Sequence, residues 1–178
     1  MATIFTHSIV PASLGMILGE KKISKMAILL GCFLSILPDL DVIAFHFGIP
    51  YKSIFGHRGF THSIFFGLSI SLIIVSLYKI KLGSKLTLFL FFFISILSHG
   101  LLDALTNGGE GVGFFIPFQE NRYFFSYRPI QVSPIGIKNF FTLRGLNVFI
   151  SELQIIWIPV FLFTAISMLI RNRIEKNN

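Results

Sequence analysis

Five apolar runs, separated by short polar or Pro/Gly-rich breaks, constrain this chain more than any other feature. They cover residues 2–19, 26–49, 60–77, 86–103 and 148–170. About 20 apolar residues let a helix cross hydrocarbon, and backbone at that depth must satisfy its own hydrogen bonds, so runs of this length predict helices. Of 178 residues, 53% are hydrophobic, 22 are Phe and only 13% are charged, more apolar surface than a soluble domain of this size can bury. The expectation is an all-α, polytopic membrane helical bundle of about five hydrophobic helices, forming one integral membrane domain over 1–178. A long extracytoplasmic loop is expected at 106–147, aromatic, rich in Pro and Gly, with room for short strands.

The breaks carry local signals. The first run is short for a crossing; Pro11 suits a first helical turn, and Gly15 and Gly19 allow close helix packing. Pro38 should kink or end the second helix, leaving Asp39 and Asp41 on irregular backbone. Thr61 and Ser63 read as caps for the third helix. Cys32 has no partner for an internal disulfide and reads as an inert thiol. No basic segment leading a short apolar core and cleavage site opens the chain, so no removable signal peptide is expected.

A formal charge of +7 would suggest nucleic acid in a soluble protein, but here Lys and Arg fall in short groups between apolar runs, without a basic helix or patch. They read as topology signals, and no nucleic acid partner is expected. Five crossings put nine basic residues in the short segments 20–25, 79–85 and the C-terminal tail, against six spread over the longer loops opposite. The positive-inside rule then makes the dense side cytoplasmic and leaves the N-terminus and both long loops outside.

The same alternation sends the chemistry-bearing groups to one end. His7 opens the first helix, Asp39 and Asp41 lie late in the second, and His57 and His62 precede or open the third. His99 and Asp103 close the fourth and Glu152 opens the fifth, whichever side is outside. Each has a bland reading: His99 and Asp103, four apart, could simply bond each other, the two aspartates could be a solvated helix end, and Glu152 could pair with Arg144. Taken together they form a nitrogen and oxygen ligand set suited to a divalent metal, zinc first with manganese or iron as alternatives, and large enough for two ions. Arg58 would suit a phosphate oxygen beside such a centre.

Thr6-His7-Ser8, Pro38-Asp39-Leu40-Asp41, His57-Arg58-Gly59-Phe60-Thr61-His62-Ser63 and Ser98-His99-Gly100-Leu101-Leu102-Asp103, followed by Pro117-Phe118, resemble a bacterial and archaeal family of inner-membrane metal-dependent hydrolases. That family is also described as LexA-binding and inner-membrane-associated, and the likeness covers nearly the whole chain. More distantly, the His99 and Asp103 pair on a helical frame is similar to zinc-dependent phospholipase C and P1-type nucleases. The resemblance implies metal ligation by His99 and Asp103, with His7, Asp39 and His57 or His62 completing the shell. The resulting expectation is an inner-membrane hydrolase that uses a metal-activated water on a phosphoester or lipid-linked substrate. In that reading Asp41 or Glu152 is the base, Arg58 steadies transition-state charge, and membrane lipids are the surroundings. The competing expectation is a non-catalytic scaffold or regulator held together by a structural metal or polar cluster. A transporter would need polar groups at both leaflets, and they cluster at one end.

Overall fold

Serine and threonine set the starts of the helices. In the computed structural model, which describes residues 1–78, 83–134 and 141–177, the N-caps are Thr3, Ser24, Ser63, Ser84 and Thr142. Each hydroxyl accepts a hydrogen bond from the backbone N–H three residues on. They open α1 (Ile4–Leu18), α2 (Lys25–Leu34), α3 (Ile64–Leu77), α4 (Lys85–Ala104) and α5 (Leu143–Glu152). A π-helical turn, Leu153–Trp157, joins α5 to α6 (Ile158–Asn177) without a break. Two 3₁₀ segments complete the set, Leu37–Phe47 and Phe60–His62.

The fold is the all-helical membrane bundle that the apolar runs predict, and no strand forms among the described residues. Three segments are long and apolar enough to cross a membrane, Lys25–Phe47, Lys85–Ala104 and Leu143–Asn177. α1 and α3 are shorter, 15 and 14 residues, about 22 Å each at the helical rise. Between three and five helices can therefore span.

Several boundaries differ from expectation for local reasons. Pro38 opens the 3₁₀ segment, so the second run is α-helical only to Leu34 and then tightens. α3 starts at Ile64 rather than Phe60 because Ser63 is extended and spends its hydroxyl as the cap. Thr61 is not a cap; its hydroxyl bonds Asp41. Pro11 lies in the interior of α1, where it removes the donor that would have reached the His7 carbonyl. The fifth helix begins at Leu143, earlier than the apolar run, and the basic tail continues it as helix. In place of short strands, the loop after α4 holds two isolated bridges, Thr106 with Ile130 and Val112 with Tyr123. Lys79, Lys81 and Lys138 lie outside the described residues.

α1 and α4 are central: α1 packs on α2, α4 and α6, and α4 packs on α1, α2 and α3. Leu34, Val75, Leu88, Phe91, Phe92 and Ile96 form the buried apolar core with Ile23 and Ala27. Gly31 lets α2 approach α4 closely, since a Cβ there would lie 2.5 Å from the Phe91 ring. α6 turns Phe161, Leu162, Phe163 and Ile166 outward, a surface suited to hydrocarbon.

The two ends of the bundle are chemically distinct. At one, Lys21 pairs with Glu175 at 3.4 Å, Arg171 donates to the carbonyls of Met16 and Ile17, and Ser24 meets Tyr78. At the other lie the start of α1, the 3₁₀ segment after α2, the loop before α3 and the end of α4. Every histidine except the exposed His46, and every aspartate, collects there.

Candidate metal centre

Four backbone devices bring these side chains together. Pro38 places Asp39 and Asp41 on a 3₁₀ turn, whose three-residue period points them in different directions. The loop before α3 is tight: a Cβ on Gly59 would sit 2.2 Å from the Ile54 carbonyl oxygen, and Arg58 adopts a left-handed φ of 62°. That turn throws the His57, Arg58 and His62 side chains inward, all buried. On α4, the spacing of four puts His99 and Asp103 on one face.

Asp39, His62, His99 and Asp103 each present a ligand atom, all four within 4.8 Å of one another, and all four residues are buried. The Nε2 atoms of His62 and His99 are 3.0 Å apart. Asp39 Oδ1 lies 3.3 Å from His99 Nε2, and Asp103 Oδ2 lies 3.7 Å from His62 Nε2. His7 stacks on His99 with centroids 3.7 Å apart and brings Nε2 to 3.6 Å from Asp103 Oδ1.

Hydrogen bonds at Nδ1 orient the two imidazoles. His99 Nδ1 is 2.7 Å from the Ser35 carbonyl, which can only accept, so Nδ1 carries a proton and Nε2 is the atom turned to the centre. Thr61 donates its one hydroxyl proton to Asp41 at 2.8 Å and lies 3.0 Å from His62 Nδ1, which is itself 3.2 Å from Asp41 Oδ2, so His62 turns its Nε2 to the centre. The two Nε2 atoms thus face each other beside the Asp39 carboxylate. Both Asp39 oxygens, Asp103 Oδ2 and both His7 ring nitrogens have no hydrogen-bond partner although buried. Leaving such groups orphaned is costly. Two nitrogen and two oxygen donors match the four-ligand preference of Zn²⁺, and three buried aspartates against one buried arginine leave excess negative charge for a cation. The residues fit a metal ion.

Around this set stands a layer that orients it. Asp41 Oδ1 accepts from His57 Nδ1 at 2.6 Å, while Oδ2 accepts from Thr61 and, at 3.1 Å, from the Arg58 backbone N–H. Arg58 Nε lies 3.0 Å from Asp103 Oδ2, and its two other nitrogens donate to Gly108 O and Thr106 Oγ1. The Ala2 N–H donates to Asp103 Oδ1 at 2.8 Å.

The structure thus brings together His7, Asp39, His62, His99 and Asp103, and sets His57, Asp41 and Arg58 behind them. It gives the three expected catalytic groups other work. Asp41 has both oxygens committed to hydrogen bonds within the protein. The Arg58 guanidinium is fully buried and occupied within the protein, so it is not open to substrate. Glu152 stands apart, accepting from Thr3 N, Thr3 Oγ1 and Thr6 Oγ1 at 2.5–2.7 Å, and so anchors the start of α1. Neither does it pair with Arg144.

Sequence reading missed Ser35, which acts through its carbonyl, and Arg122, which donates to the carbonyls of Tyr51, Ser53 and His57 and ties down the loop. Backbone acceptors leave no trace in residue type. Arg122 comes from 65 to 71 positions away, with burial pushing its pKa down, and burial likewise pushes the Tyr51 phenol up.

These features define a class: a multi-pass helical membrane protein whose buried histidine and aspartate cluster can hold a metal ion. The chain belongs to the YdjM inner membrane protein family, whose sequence profile matches residues 1–174. It is 41% identical over 160 residues to inner membrane protein YbcI of Escherichia coli (strain K12), covering 89% of this chain and 92% of that protein. No solved structure gives a significant match. Family membership and the apolar helices together fit an inner-membrane location.

Proposed function

We propose that the protein is a membrane-bound metal-dependent hydrolase of a phosphoester or lipid-linked substrate, with zinc as the first candidate and Asp39, His62, His99 and Asp103 as ligands. The observation that carries the metal reading is the convergence of two Nε2 atoms, 3.0 Å apart, with the Asp39 and Asp103 carboxylates, all four residues buried. One ion is favoured over two, because the second group, Asp41, His57 and His62, spends its facing atoms on hydrogen bonds within the protein. When bound, such an ion would acidify a water and polarise the substrate. His7, with no hydrogen-bond partner on either ring nitrogen, is the residue placed to take a proton from water at the centre. Asp41 holds His57 directly and His62 through Thr61, and Arg58 holds Asp103. The basic end of the bundle supports a cytoplasmic C-terminus, with the N-terminus and the centre at the outer face.

Hydrolysis is tested by assaying detergent-purified protein against aryl phosphodiesters and phospholipids, with and without chelator, beside His7→Ala. The expected result is chelator-sensitive turnover lowered 10²-fold or more by His7→Ala, with metal retained. The rival reading, a structural ion tying the helices together, draws support from the burial of all four ligands, since structural sites are closed. It is favoured if bound metal is found without turnover and chelation lowers thermal stability.

A further inference from the structure

A cavity of about 370 Å³ opens beside the centre and is lined by Met1, Tyr51, His57, Gly109 and Arg144, among others. Arg144 belongs to α5, whose two faces differ. Gly145, Val148 and Glu152 pack inward, while Leu143, Leu146, Phe149 and Ile150 are exposed. Leu143, Leu146 and Phe149 line a second, strongly apolar groove with Phe141 and Gly145. α5 therefore joins the two sites within three residues, the first carrying Arg144, Tyr51 and His57 on its wall and the second almost wholly apolar. Arg144 has no ion-pair partner among the described residues, unlike Arg58 and Arg171. The apolar face also continues along α6, whose Ile158, Phe161 and Leu162 face outward.

We propose that this helix is the access site for a membrane lipid with a phosphate in its headgroup. The acyl chain lies over Leu143, Leu146 and Phe149, and the phosphate meets Arg144 at the mouth of the cavity that leads to His57. Charge complementarity assigns the phosphate: an exposed guanidinium at an apolar boundary is a forked donor with no acid to satisfy it. Continuity with the outward face of α6 assigns the chain, because a lipid beside α6 reaches the groove without leaving hydrocarbon. The inference rests on the hydrolase reading for its consequence, since it names the substrate class, but binding can be measured without turnover.

The test is native mass spectrometry of the full-length protein in detergent with dioleoyl phosphatidate or dioleoylglycerol added, alongside metal content of the same preparations. Wild type is expected to prefer phosphatidate. Arg144→Gln should lower phosphatidate occupancy about tenfold, the scale of one charge-assisted contact, and leave dioleoylglycerol unchanged. Leu146→Ser should weaken both lipids, and Arg128→Gln neither. Equal binding of the two lipids by wild type, or an unchanged Arg144→Gln, would overturn the proposal. So would displacement of phosphatidate by inorganic phosphate with Leu146→Ser behaving as wild type, which would make the ligand a free anion. Metal-free wild type would instead count against the hydrolase reading, whatever the lipid result.

Discussion

Asp41 sets the orientation of two histidines at once, taking the His57 Nδ1 proton directly and reaching His62 through Thr61. Asp41→Asn keeps the shape but can offer a donor where both oxygens now accept, so metal affinity should fall 10- to 100-fold, measured by competition with a chromogenic chelator; unchanged affinity would remove Asp41 from the supporting layer. Arg58 is the buried guanidinium against Asp103, and its loss removes that ion pair and the donors to Thr106 and the Gly108 carbonyl. Arg58→Ala should destabilise by about 3–5 kcal/mol, read as a lowered unfolding midpoint in detergent. The ligand types were legible in the sequence, because His and Asp in apolar runs demand partners and the alternation of helices sends them to one end. Their ranking was not. Whether Asp41 or Asp39 faces the centre depends on the 3₁₀ turn after Pro38, and whether Arg58 is open to substrate depends on Thr106 and the Gly108 carbonyl, about 50 residues away.

Helix starts were legible as single Ser and Thr residues before apolar runs, yet Thr61 and Ser63 looked alike and only Ser63 caps. Glu152 shows what remains hidden. Its carboxylate anchors Thr3 and Thr6 across 149 and 146 positions of sequence, an arrangement fixed by how α1 packs on the π-helical turn. Glu152→Ala should therefore cost about 1–3 kcal/mol for the orphaned donors while leaving bound metal in place. Loss of metal in that variant at unchanged stability would return Glu152 to the centre. Gly31→Val tests the α2 and α4 contact, where the added side chain meets the Phe91 ring; overpacking should cost about 1–3 kcal/mol, seen as faster proteolysis of the detergent-solubilised protein.

For the molecule as a whole, the antiparallel helices place Lys21, Lys25, Lys85 and Arg171 at one end and the histidine and aspartate centre, with Arg58, at the other. Cysteine substituted at Lys22 and at Lys52 should be labelled from opposite faces of the membrane by an impermeant maleimide, Lys52 from outside; same-side labelling would contradict the crossing pattern. The bundle class and the shortness of α1 followed from run length and hydropathy, whereas α3 is shorter than its apolar run because the extended Ser63 starts it at Ile64. Four buried side chains converge at a distance that suits a cation between them. Elemental analysis of the detergent-purified protein beside His99→Ala and Asp39→Ala measures this directly. The account predicts about one equivalent of zinc or another divalent metal in wild type, absent from both variants while they remain folded in the membrane. A folded wild type purified without chelator and free of metal, or variants that keep their metal, would contradict it.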